Sequence, residues 1–570
     1  MNNSNPFHSR IRIVAGAFFI FSCILIIKLF ILQIVNTSTY ADRADKQYAT
    51  PVGDMFERGS IFFANRDGTL VAAGTVMTGF KVAVNSKNIE DPETLYTHLS
   101  PFTKLTHDEF ISKVTKLNDP YEEVANRLSK EEADIITSQK IPGVSIYKEK
   151  WRFYPGDSLA SHTLGFVAYK GDDRVGQYGL EKFYNSLLSK PVGEAYMNFF
   201  AEVFSNIGKS FDGTRGGDLV TTIDPNIQHM LEEELRATFT AWNADQVGAI
   251  IMDPKTGEIF AMSDLPDFNL NEFNLVKDPH LYGNPIVENV FEFGSVIKPL
   301  VIESALDAGV ITPETTYFDS GKITIDKKVI NNFDLKGRGM VNIQTVLDQS
   351  LNTGMVFVEN KLGHEQFRNY MKSFGIGQKT GIDLPNETVG LIKNLDSPRN
   401  LEYANAAFGQ GIAVTPIEAI RAFASLGNGG VLVTPHLVKE IKYNDGTSKI
   451  TTWDTTPTAM KNGSASGDTI SRMLVHVFDS YGEGSYKFPH YSVATKTGTG
   501  QVAKENGKGY YEDRHMHSFF GYFPAYDPKF IVFLYLKNPK EVKYASQTLI
   551  PPFVNITKFL INYYNLPPDR

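Results

Sequence analysis

A run of 23 residues from Ile13 to Val35, IVAGAFFIFSCILIIKLFILQIV, carries only Ser22, Lys28 and Gln33 as polar side chains. As a helix it reaches roughly 34 Å, enough to span the hydrocarbon core of a bilayer with some tilt. It is too long for the apolar part of a signal peptide, and no small-x-small cleavage site follows it, so it reads as an uncleaved anchor. Lys28 within it reads as a snorkelling side chain. Basic residues flank both ends, Arg10 and Arg12 before and Arg43 and Lys46 after, so charge alone does not orient the span. Everything after the anchor must fold in water: 42% hydrophobic and 21% charged residues over 570 positions suit globular domains.

Several classes are excluded early. A net charge of −8 leaves no basic footprint for nucleic acid. Cys23 is the single cysteine, so neither an intramolecular disulfide nor a multi-cysteine metal site can form. His515 and His517 form an H-x-H pair, two ligands where a catalytic zinc usually takes three. No metal and no cofactor is expected.

Behind the anchor, RGSIFFANRDGTLVAAG (Arg58 to Gly74) reads as two strands around an Arg66-Asp67-Gly68 turn. Residues 91–140 read as amphipathic helices, and VSIYKEKWRFYP as a strand. From Thr222 the texture changes. Asp224-Pro225 opens a helix, QVGAIIMDPKTGEIFAMSD is a hairpin, and a mostly helical stretch runs to about Asn428. Strand patterns return in YSVATKTGTG, HSFFGYFPA and KFIVFLYLK, and a helix around PPFVNITKFLINYY closes the chain. That order implies an α/β fold, a sheet with helices on its faces and an inserted all-helical part.

Three short motifs follow in order: Ser295-Val-Ile-Lys298, Ser350-Leu-Asn352 and Lys496-Thr-Gly498. Such a set marks penicillin-binding proteins and class A β-lactamases. S-x-x-K recurs at Ser145 to Lys148, and K-T-G at Lys255 and Lys379, so context must choose. At helical spacing Lys298 shares a face with Ser295 and can serve as its base. Gly294 places that serine at a helix start, where a developing oxyanion is favoured. Ser145 lies in a strand pattern, where residues three apart face opposite ways. Lys255 and Lys379 fall in turns. Only Lys496 ends an apolar strand, and Gly498 there lets a substrate backbone lie close. Lys496 and the threonines Thr497 and Thr499 can grip a carboxylate.

FEFGSVIKP, SLNTGM, FGIGQKTGIDLPNE, FGQGIAVTPIEAIRAFASLGNGG, ATKTGTGQ and HSFFGYFPAYDPKFIV resemble the catalytic part of class B penicillin-binding proteins. RGSIFFANRDG, RFYPGDSLASHTLGFV and GQYGLEKFYN resemble that family's pedestal, so the likeness covers nearly the whole chain. Phe293 stands where the family usually has proline, and Gly500 where alanine is common.

The resemblance implies a penicillin-binding-protein/serine β-lactamase-like transpeptidase domain, an antiparallel sheet with helices on both faces and an all-helical part. It implies a tail at 1–12, the transmembrane helix at 13–35, an α+β pedestal resembling the dimerisation domain at 36–222, and the transpeptidase domain at 223–570. Ser295 would attack the penultimate D-Ala carbonyl of a peptidoglycan stem peptide, and Lys298 would take its proton. Ser350 would relay a proton to the leaving D-Ala, and Asn352 would hold the substrate amide. Lys496, Thr497 and Thr499 would bind the terminal carboxylate. The Ser295 and Thr499 N–H groups would form the oxyanion hole.

β-Lactams would acylate Ser295. The protein would lie in the plasma or inner membrane, N-terminus cytoplasmic and catalytic domain outside. No glycan-polymerising domain is evident. A partner glycosyltransferase of the shape, elongation, division and sporulation class, lipid-linked glycan and divisome proteins are therefore implied. The division-type branch is the nearer one. The three motifs alone also fit a β-lactam hydrolase or a non-turnover β-lactam sensor.

Overall fold

The computed structural model describes residues 21, 28, 56–116, 119–171, 173–189, 216–504 and 509–570. The Ile13–Val35 span lies outside these, apart from Phe21 and Lys28. Among the described residues no helix is long and apolar enough to cross a membrane. The chain divides into two compact units, one of Met1–Phe56 with Met77–Trp151, the other of Glu57–Val76 with Arg152–Arg570.

In the smaller unit, helices Pro92–Leu99, His107–Val114 and Lys130–Ser138 accompany strands Glu122–Leu128 and Val144–Phe153. Thr106 with Glu109 and Ser129 with Glu132 form capping boxes, which satisfy the first N–H groups of two of these helices. Their apolar faces meet in a core of Val82, Leu95, Leu99, Phe110, Val124 and Ile136. The strand Glu122–Leu128 interrupts a region whose sequence reads as helical throughout. Its EEVANRL lacks strict alternation, and pairing with Phe80–Val84 makes it a strand.

In the larger unit, Ile61–Ala64 pairs antiparallel with the chain after the Gly68 turn, as the sequence implies. It also pairs parallel with Gly217–Thr221, to which Val438–Tyr443 is antiparallel. Beside these strands, Arg58 and Arg152 each place Nε 2.6 Å from the fully buried Glu181 carboxylate. Removing that acid would strand two buried charges, a loss on the order of 3–5 kcal/mol.

The centre of this unit is a five-stranded antiparallel sheet. Its strands are β1 (Gln246–Met252), β2 (Ile259–Leu265), β3 (Ala494–Ala503), β4 (Tyr510–Phe523) and β5 (Phe530–Lys537), in the spatial order β3-β4-β5-β1-β2. One face, with Val247, Ala249, Ile251, Phe519 and Val532, packs on α1 (Pro225–Trp242) and on the closing helix. The opposite face, with Ile250, Phe520, Ile531 and Phe533, packs on α2 (Lys298–Asp307), α4 (Pro416–Gly427) and α5 (Gly463–Ser480), and the cluster runs on into α3 (Asn352–Leu362). Burial on both faces explains why IVFLYL in β5 is a continuous apolar run. Asp224 caps α1 by accepting from Asn226 N and Ile227 N, with Pro225 at the first helical position.

The closing helix, α6 (Ala545–Tyr564), starts six residues before Pro551, although Pro551-Pro552 reads as a helix start. Leu549 and Ile550 bury against the sheet and carry the helix through both prolines. Nor is the stretch before Asn428 wholly helical. Lys322–Ile325 and Lys328–Asn331 form a hairpin closed by Asp326 and Lys327, both at positive φ. A two-residue loop with that backbone matches the twist of paired strands.

Candidate active site

The nucleophile candidate stands on a turn tighter than its spacing suggests. Gly294, at φ +67°, starts a 3-10 turn, Gly294–Ile297, that runs directly into α2. In a 3-10 turn residues three apart eclipse, so Lys298 stands over Ser295 more directly than in an α-helix. Ser295 is half-buried, and Lys298 is fully buried. The segment before the serine is held firmly. Ser518 Oγ on β4 donates to Phe293 O at 2.7 Å, and Phe291 exchanges two backbone bonds with Val414. The Phe293 ring lies edge-on to Phe533 at 4.9 Å and 6.0 Å from Tyr535. It fills the place where the family usually has proline.

Lys298 Nζ is the hub. It lies 2.6 Å from Ser350 O, 3.1 Å from Ser350 Oγ and 2.9 Å from Asn352 Oδ1. Two of these three oxygens can only accept. Those two match the two N–H groups of a neutral amine, while the Ser350 hydroxyl can either accept or donate. Burial, helped by the positive charge of Lys496, pushes the Lys298 ammonium well below the usual lysine range. The described bonds of Lys298 run to the second motif rather than to Ser295.

Ser350 holds its place with a left-handed backbone, φ +53°, a conformation costing a non-glycine residue on the order of 1 kcal/mol or more. Fully buried Leu351 anchors the turn, and Asn352 Nδ2 donates to Asn331 O at 3.0 Å. Next in sequence, Thr353 Oγ1 donates to Asp319, which also accepts from Asn332. The 326–327 hairpin thus braces the second motif.

The third motif lies on β3, at the edge of the sheet, with Lys496 opposite Phe520, Gly498 opposite Ser518 and Thr499 opposite His517. A Cβ on Gly498 would run into Phe293 O and Ser518 Oγ, so only glycine lets the strand lie against the nucleophile's turn. Gly500 answers the same way: an alanine there would collide with Glu292 O. Lys496 is 1% exposed and its Nζ donates to Thr497 O at 2.9 Å. Burial brings its pKa down to about 7, against the opposing pull of the Asp348 carboxylate. Thr499 Oγ1 accepts from Ala545 N at 3.3 Å.

The other motif copies stand elsewhere. Ser145 and Lys148 are both exposed on the strand Val144–Phe153, at positions that alternate faces. Lys255 lies in the β1–β2 turn and pairs with Asp527; Lys379 is an exposed loop residue. Lys496→Ala should therefore cut the rate of acylation by penicillin at least tenfold. Lys255→Ala and Lys379→Ala should stay within a few-fold, since exposed lysines contribute little. Equal losses in all three variants would refute the distinction. The H-x-H pair is no ligand set: both ring nitrogens of His517 are bonded, to Thr548 Oγ1 and Lys543 O. Among the described residues no group of three or more acidic, histidine or cysteine side chains could hold a metal.

Some residues at the site have no signature in the sequence. Asp348, held by Gln344 and His476, faces Lys496. Tyr481 bonds Thr497. Phe333, on the Asn352 side, meets Tyr544, on the Thr499 side, edge-on at 5.8 Å.

Residues 247–556 match the penicillin binding protein transpeptidase domain, and 56–220 match the penicillin-binding protein dimerisation domain. The chain belongs to the penicillin-binding protein family. With both domains it is a class B member. Stage V sporulation protein D of Bacillus subtilis is 31% identical over 510 residues, 87% of this chain and 77% of that protein. Peptidoglycan D,D-transpeptidase FtsI of Escherichia coli is 26% identical over 78% of this chain and 73% of its own length. Among solved structures, penicillin binding protein 2X of Streptococcus thermophilus gives a TM-score of 0.70 at 21% identity. The match covers 89% of this chain and 80% of that one. Penicillin binding protein 3 of Mycobacterium tuberculosis, complexed with aztreonam, gives 0.68 at 22% identity, over 90% and 98%. At that identity the likeness speaks for the fold.

Proposed function

We propose that this protein is a serine-type peptidoglycan D,D-transpeptidase of cell-wall synthesis that β-lactams acylate at Ser295. The observation that carries this reading is the Lys298 amine: fully buried, one turn after the serine, and bonded to Ser350 and Asn352. Neutral Lys298 takes the Ser295 proton as Oγ attacks the penultimate D-Ala carbonyl carbon. The oxyanion is met by the N–H groups of Ser295 and Thr499. As the amide C–N bond breaks, Ser350 passes the proton from Lys298 to the leaving D-Ala nitrogen, leaving an ester on Ser295. Asn352 holds the donor's amide, and Lys496, Thr497 and Thr499 hold its terminal carboxylate. An amine of a second stem peptide then attacks the ester, gives up its proton through the same groups, and restores the Ser295 hydroxyl.

This chemistry needs a substrate outside the cytoplasm. The reading therefore includes a single anchor at 13–35, the N-terminus inside, a pedestal at 36–222 and the transpeptidase domain at 223–570. It also includes a glycan-polymerising partner of the shape, elongation, division and sporulation class, acting on lipid-linked glycan with the division machinery. The test is a donor ending in D-Ala-D-Ala supplied with an amine acceptor. One D-Ala should be released for each new amide formed. Fast turnover of a chromogenic cephalosporin without amide formation would make the protein a β-lactam hydrolase. A stoichiometric, stable adduct with no D-Ala release would make it a sensor.

A further inference from the structure

Just beyond α5 the chain makes a turn that local preferences oppose. The 3-10 segment Tyr481–Gly484 contains Gly482 at φ +57° and Glu483 at φ +56°, and the second of these is not glycine. Such a conformation persists where surrounding structure demands it. What the turn delivers is the Tyr481 phenol, brought to the K-T-G-T strand from sixteen residues upstream. Its ring is fixed edge-on to Phe478 at 6.2 Å.

One of the two hydrogen bonds has a fixed direction. Thr497 N donates to Tyr481 Oη at 3.4 Å, and Tyr481 Oη lies 3.2 Å from Thr497 Oγ1. Either hydroxyl of that pair can be the donor; with the phenol oxygen already receiving the amide proton, its own hydrogen is free to go to Thr497 Oγ1. That leaves the Thr497 hydroxyl hydrogen for another acceptor, and a carboxylate can only accept. Alternate residues of a strand aim their N–H groups at the same edge, so those of Thr497 and Thr499 point the same way. Tyr481 takes the first; the second is the one the transpeptidase reading assigns to the oxyanion. Burial first, together with the Asp348 charge, raises the phenol's pKa to about 12, so it keeps its proton at any working pH.

We propose that Tyr481 is a positioning residue: it polarises Thr497 so that the threonine hydroxyl donates to the terminal carboxylate of the substrate. This rests on the transpeptidase reading and adds to it the group that orients the carboxylate grip.

The test uses the full chain in detergent and compares acylation rate constants for benzylpenicillin and for its methyl ester, which lacks the charge. Wild type should favour the carboxylate. Tyr481→Phe keeps the ring and its packing. It should lose about tenfold on benzylpenicillin, the scale of one hydrogen bond to a charged group, and little on the ester. Thr497→Val should narrow the preference similarly, and the double variant should narrow it no further. An equal loss on both compounds would mean a merely structural role and overturn the proposal, as would no loss on either. Wild-type protein acylated by neither compound would overturn the transpeptidase reading itself, and this proposal with it.

Discussion

Ser295→Ala ends covalent labelling by penicillin, and in the unaltered protein the adduct maps to the single peptide that carries Ser295. Removing a serine nucleophile from such a unit costs on the order of 10⁶-fold, because the remaining groups have nothing to activate. Two other serines test the site. Ser145 stands on a strand with Lys148 facing the other way, so no base reaches it. Ser350 touches the Lys298 amine at 3.1 Å, but its backbone is locked in a left-handed turn between two helices. Of the three, Ser295 alone is at once half-open to ligand, one turn before Lys298 and beside the Gly498 strand. Mass spectrometry of the labelled digest decides: an adduct on Ser350 or Ser145 would refute the assignment.

Lys298→Arg should fold, yet lose acylation by at least ~10²-fold, the usual worth of general-base help. A lysine in water titrates near 10.4. Here burial, then the neighbouring Lys496 charge, favours the neutral form and brings that value well down. Arginine keeps the charge and a similar reach but does not deprotonate in a protein. The pH dependence carries the sign. The neutral fraction of Lys298 grows as pH rises through its lowered pKa, so wild-type acylation should rise with pH on that limb. Lys496 titrates at about 7 and loses its charge above that, so the grip on a carboxylate ligand should weaken toward alkaline pH. The rising limb should vanish in Lys298→Arg and the falling limb in Lys496→Arg. A Lys298→Arg protein acylated at near the wild-type rate would assign the proton transfer to another group.

Much of the fold was legible because its signals are local. The Asp224-Pro225 helix start, the β1–β2 hairpin around Pro254 to Gly257 and the Gly68 turn each depend on a few neighbouring residues. The misses are places where packing overrides local preference. EEVANRL is a strand through pairing with Phe80–Val84, and α6 runs through two prolines because Leu549 and Ile550 are buried beside them. ITIDKKVIN did carry an alternating pattern, lost within a longer helical reading.

The same division runs through the site. Periodicity and turn chemistry set Ser295 and Lys298 at a helix start apart from Ser145 and Lys148 on a strand, and Lys496 on a strand apart from Lys255 in a turn and Lys379 in a loop. Each choice turned on whether a residue lies in a helix, a strand or a turn, which a window of about ten residues decides. The resemblance to a known family then supplied roles, not geometry. Only the tertiary structure decided that the Lys298 amine is shared by Ser350 and Asn352, 52 and 54 residues further on. It alone brought Tyr481 to Thr497, Asp348 to Lys496 and the Ser518 hydroxyl to Phe293 O, the last 225 residues apart. Those contacts follow from the register of β3 on β4 and the packing of α2 and α5 on the sheet. Both are set by the burial of whole faces at once, so no segment of the chain carries them by itself.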